Sequence, residues 1–143
     1  MKPEASDILD IGAEQLMTQL MPNLGASYLQ GAAMLHALLM KFAAREYERG
    51  ADIRFQENAD MRALFSELAP VVRDGELRTK LETAAAARDT SLAITALNAA
   101  NRELRDLLIA LHVHVEEAGA RDAEKKIWRV LQAMAARRIV SIA

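Results

Sequence analysis

From Ala87 to Ala118 a mostly apolar series recurs at every third and fourth position: Ala87, Thr90, Ile94, Leu97, Asn101, Leu104, Leu108, Leu111, Val115 and Ala118. That alternation is the a and d seam of a heptad repeat. Gly119 follows it and neither Pro nor Gly interrupts it. The spacing predicts one long helix over about 87–118, roughly 45 Å from end to end. Its weak point is Asp89-Thr90-Ser91, residues that compete for backbone hydrogen bonds and favour caps. So narrow a seam needs a packing partner along its length.

The remaining pattern is also helical. Ser6 is the expected N-cap of a first helix with Ile8, Leu9, Gly12, Leu16 and Leu20 near one face, ended by Pro22-Asn23-Leu24-Gly25. Gly12 within it marks close approach of another helix. A second helix is predicted from Ser27 to Arg49, with Gly50 in the position that favours left-handed geometry. It is apolar nearly all round, with one stripe of Tyr28, Ala32, Leu35, Leu39 and Phe42 and a second of Leu29, Ala33, His36, Met40 and Ala43. Such a helix is covered on more than one side. Residues 51–75 look least regular, with a short helix around Met61, Leu64, Phe65 and Leu68 stopped by Pro70. Glu76 to Arg88 forms helix well, and Asp122 is the expected cap of a last helix bearing Ile127, Val130, Leu131 and Met134. The expectation is an all-α fold: a compact bundle of five or six helices in a single domain over residues 1–143.

Composition sharpens this picture. Hydrophobic residues make up 52% of the 143 and aromatics only 4%, so the apolar content is mostly Ala, Leu and Met, all strong helix formers. The net charge of −2 provides no global basic field of the kind that draws a protein to nucleic acid. Acidic residues gather near the start and basic ones near the end (Lys125, Lys126, Arg129, Arg137, Arg138), a placement that suits helix dipoles. The basic last helix with Trp128 could meet an anionic surface, but basic residues on the outer face of a terminal helix are the ordinary route to solubility. Neither a nucleic-acid nor a membrane partner is expected. No Cys is present, which removes thiol catalysis and thiolate metal sites. The opening MKPEASDILD is acidic where an export signal is apolar, and the uncharged stretch 15–40 is broken by Pro22, Asn23 and Gly25. A cytoplasmic protein is expected.

Candidate chemistry is sparse. Asn101 stands in the seam between Ile94 and Leu108, where it either fixes register by pairing with another polar group or lies partly exposed in an imperfect seam. On the first alternative, Asn101→Leu is expected to raise thermal stability and blur the oligomeric state. His112 and His114 flank the seam, about 200° apart around the helix, so they cannot chelate one ion together. Glu116 and Glu117 lie within reach of them. They are read as surface pairs or as an acid-sensitive interface. His36 is a core histidine bonded to a carbonyl, or part of a ligand pocket lined by Met34, Met40 and Phe42. There is no phosphate loop, GxSxG or HExxH. No metal, cofactor or catalytic residue is assigned.

The stretches ILDIGAEQLMTQLMPNLG and AAMLHALLMKFAAREYERG, with Met21-Pro22 and Arg45-Glu46-Tyr47-Glu48 as matching points, resemble a family of small bacterial helical proteins of unknown function. The resemblance covers residues 7–70. Members tend to be encoded near acyl-CoA dehydrogenases and phosphotransferase-like proteins, which implies an accessory role. The long heptad helix and basic tail depart from that pattern.

The function these residues point to is a non-catalytic assembly or protein-interaction module, most simply a homodimer joined through the long helix or helix 27–49. On the long helix the interface would comprise Asn101, Leu104, Leu108, Leu111, His112 and His114. The alternatives are a binder of a small apolar ligand near His36, Met40 and Phe42, and an enzyme using His and carboxylates in that cavity.

Overall fold

A computed structural model of the chain describes residues 3–139. It is all-α among those residues: α1 Ala5–Gln15, α2 Ser27–Leu68, α3 Gly75–Ala86, α4 Ile94–Glu117 and α5 Arg121–Arg137. The chain divides into two compact units, one formed by residues up to Gly50 and one by Ala51–Ile139.

In the first unit α1 packs on the opening half of α2. Ser6 is not the cap expected of it. It lies buried at the second position of the helix, whose cap is Glu4, and its hydroxyl donates to Glu48 Oε1 at 2.7 Å, tying the two helices together. Gly12 provides room for α2, because a Cβ there would sit 2.5 Å from the Met40 methyl. The end of α1 loosens into a π-turn over Leu16–Leu20 and a 3-10 turn over Met21–Asn23, where Pro22 lacks the N–H that would continue the ladder.

α2 does not stop at Gly50. The glycine stays in the right-handed region and the helix runs on to Leu68, replacing the irregular stretch expected over 51–60. A glycine inside a helix costs about 1 kcal/mol. Beyond it, Ile53, Glu57, Met61, Leu64 and Leu68 recur at helical spacing and are all buried, so packing outweighs that local cost. Pro70 then sits in a 3-10 turn over Ala69–Val71. Asp74 caps α3, its Oδ1 accepting from the backbone N–H of Glu76 and Leu77 at 2.9 and 3.1 Å.

The heptad helix is α4. It begins at Ile94, not Ala87, because residues 87–93 leave helical geometry around the weak point at Asp89-Thr90-Ser91. Its seam from Leu97 to Val115 is buried as the spacing predicts. Leu104, Leu108, Leu111 and Val115 close one core with Met61 and Phe65 of α2, Leu81 of α3 and Ile127 of α5. The second unit is therefore a four-helix core with the seam of α4 inside it. α5 begins at Arg121 with Ala120, not Asp122, in the cap position.

Gly119, at φ 64°, ends α4. The N–H of Gly119 bonds the Glu116 carbonyl at 3.0 Å and that of Ala120 reaches back to Val115 at 3.1 Å, the paired closure of a Schellman motif. Gly119→Ala forces a Cβ into this left-handed position and is expected to lower unfolding free energy by about 1–2 kcal/mol, read from the shift of a urea midpoint.

Candidate functional site

Asn101 is buried, and its amide finds polar partners on α2. Nδ2 donates to Glu57 Oε2 at 3.1 Å and to Asn58 Oδ1 at 3.0 Å. Both partners are completely buried. Asn58 Nδ2 in turn approaches both oxygens of Asp89 and the Leu97 carbonyl, each at 3.3 Å. Each end of the chain of bonds closes on a guanidinium. Arg138 donates to the two oxygens of Glu57 at 2.7 and 2.6 Å, and Arg62 donates to those of Asp89 at 3.1 and 2.8 Å. Two buried carboxylates are thus matched by two cations, through bidentate pairs that satisfy geometry as well as charge.

Carboxylates can only accept, which fixes the direction of every bond between them. Burial alone would push the Glu57 carboxyl up. The Arg138 hydrogen bonds and charge, with the Asn101 amide and the charge of Arg54, outweigh burial and hold it below its ordinary value of 4.5. The Arg62 bonds, helped by Asn58, likewise overcome burial and hold Asp89 below 3.8. A group with a depressed folded pKa stabilises the fold above its unfolded pKa, and that contribution disappears as pH falls through the folded value.

Each histidine meets a partner within its own unit. The ring of His112 meets Trp128 of α5 edge-on, with centroids 5.6 Å apart. His114 Nε2 accepts from the Arg73 backbone N–H at 3.3 Å, which requires that nitrogen to be unprotonated. Both therefore tie elements of their own unit together. His36 is exposed and its Nδ1 lies 2.6 Å from the Ala32 carbonyl one turn back. Phe42 is exposed, and half-buried Met40 turns towards Gly12. The basic last helix meets acids on α2: Lys126 pairs with Glu67 and Arg137 with Asp60, each at 2.6 Å. Among the described residues, no group of three or more His, Asp or Glu is placed to hold a metal ion, and no helix is long and apolar enough to cross a membrane.

The seam read as a candidate interface is covered by the chain's own helices: Asn101, Leu104, Leu108 and Leu111 are at most 5% exposed. Between α3 and α4 there is a cleft of about 1030 Å³, floored by Leu77, Ala84, Leu104 and Leu107 and edged by Glu76, Glu103, Asp106 and Glu117. Its wide mouth and acidic rim do not resemble an enclosed apolar ligand site.

A row of uncovered large apolar side chains lies on the opening half of α2. Ala33, Ala37 and Ala44 are its buried residues there, a row of small side chains that lets α1 approach closely. About 180° around the helix, at 100° per residue, stand Tyr28, Leu35, Leu39 and Phe42, which are 75, 56, 54 and 39% exposed. The sequence flagged a helix apolar on every side. The structure shows the small face used and the large face open.

No protein-family model, curated protein or solved structure matches this chain.

Two measurements probe the network. Asn101→Leu takes from Asn58 Oδ1 its donor and from Glu57 Oε2 one of its two, leaving only Arg138 on that oxygen, so the stability gain expected from the heptad pattern is reversed. Unfolding free energy should fall by about 1–3 kcal/mol, measured by urea titration at pH 7. Repeating the titration from pH 7 to pH 3 should show stability held until about 4.5 and lost below it as Glu57 and Asp89 protonate. Glu57→Gln should make that acid limb shallower.

Proposed function

We propose that the protein is a non-catalytic assembly module that self-associates through the open face of α2. The observation that carries this reading is the contiguous run of exposed Tyr28, Leu35, Leu39 and Phe42 on the side of the helix facing away from α1. Scattered exposed leucines are normal, but an apolar stripe three to four turns long marks a protein–protein contact. Helix 27–49 is one of the two surfaces the sequence nominates, and α4, the other, has its seam buried inside its own unit.

The chemistry elsewhere fits a scaffold better than an enzyme. The buried ionisable groups are matched pairwise, Glu57 with Arg138 and Asp89 with Arg62, an arrangement that fixes helix register and leaves neither carboxylate poised for proton transfer.

Replacing Leu35 and Leu39 together by Glu places charge in the middle of the stripe. The expected result is a fall in mass by light scattering from that of a dimer to that of one 15.8 kDa chain, with helical content by circular dichroism unchanged. Equal masses for the two proteins would remove the reading.

A further inference from the structure

The stripe contains enough information to say how a second copy would lie on it. Tyr28, Ala32, Leu35, Leu39, Phe42 and Glu46 follow one another at intervals of four and three, a short heptad seam in which 32, 39 and 46 take the a positions and 28, 35 and 42 the d positions. All six are exposed. They also form three pairs equidistant from position 37: Leu35 with Leu39, Ala32 with Phe42, and Tyr28 with Glu46. Two identical helices laid antiparallel about that point bring each a residue against the partner's d residue.

The residues suit one another under that operation. Leu meets Leu at the centre, the small Ala32 receives the large Phe42, and the Tyr28 hydroxyl can donate to the Glu46 carboxylate, whose lone pairs accept more than one bond. A two-fold contact must be self-complementary, and this pattern is. Parallel pairing would instead set Glu46 against Glu46 and Phe42 against Phe42, leaving like charges opposed in the seam. The area is adequate. Tyr28, Leu35, Leu39 and Phe42 are on average about half exposed, so at about 150–250 Å² for each whole side chain they offer on the order of 450 Å² per copy, before Ala32 and Glu46 are added. Two copies reach about 1,000 Å², the lower bound of a specific interface.

Resting on the reading of this face as an association surface, we infer that its occupant is a second copy of the chain, paired antiparallel about position 37 so that Tyr28 of each copy faces Glu46 of the other. The Cys-free sequence makes a direct test possible. Tyr28→Cys and Glu46→Cys are prepared separately as full-length chains, checked for unchanged circular dichroism, mixed and mildly oxidised. The expected product is the mixed disulfide, joining position 28 of one chain to position 46 of the other, in excess over either homodisulfide. In the antiparallel pair the two copies of position 28 stand about 27 Å apart, far beyond disulfide reach. A dimeric mass with the position-28 homodisulfide dominant, or with no mixed product, overturns the antiparallel register and leaves self-association standing. A monomeric mass for the unmodified chain at all concentrations overturns both.

Discussion

The second unit depends on one hydrogen-bonded link, the Asn101 amide held between Glu57 and Asn58. A carboxylate buried as deeply as Glu57 is tolerable only with a cation and a neutral donor together. It has both, in Arg138 and Asn101. Through Asn58 the same link reaches Asp89 and hence Arg62, so α2, the segment before α4, α4 itself and the end of α5 are all bound to one polar chain. Sliding any of these elements by a turn would strand a buried charge. Leucine seams tolerate such slips far better, and this is why a polar layer within an otherwise apolar core can specify one arrangement.

The link also explains the shape of the connection before α4. Residues 84–88 are strong helix formers, and nothing in them alone prevents α3 running into α4. Asp89 is drawn to the Arg62 guanidinium and the Asn58 amide, and the backbone leaves helical geometry across 87–93. A tertiary ion pair therefore decides where the seam helix begins. Local propensity only marks where the break is cheapest.

Much of the architecture was legible because period and burial agree. Every seam position from Leu97 to Val115 lies inside, and Gly119 closes α4 as its place after the seam implies. Asn101 was recognisable as anomalous from its position alone. Its partners were not recognised, since Glu57-Asn58-Ala59-Asp60 reads as a polar loop. The missing signal was the register of the following stripe: stepping back from Leu68, Leu64 and Met61 by helical intervals arrives at Glu57 and Ile53. Ser6 and His36 misled in the opposite direction. A serine near a helix start suggests a cap and a histidine among apolar residues suggests a core, whereas Ser6 joins two helices from within and His36 faces solvent. Which side of an all-round apolar helix meets its neighbour is set by side-chain size, and the heptad count does not reveal it.

The two halves of α2 solve one problem by different means. From Ile53 onward, register is held by charge and directional hydrogen bonds inside a closed core. In the proposed pair the exposed seam from Tyr28 to Glu46 carries one charged residue, Glu46, so size would do most of the same work. Leu35 and Leu39 alone would accept several alignments. Ala32 against Phe42 penalises those in which two large rings or two small methyls coincide. Glu46 at the end of the seam penalises the parallel one, where its own copy would face it. A surface meant only to shed water would need neither feature. Equal spacing about a midpoint belongs to any heptad seam; it is the residue identities, Leu with Leu, Ala32 with Phe42 and Tyr28 with Glu46, that suit the proposed two-fold contact.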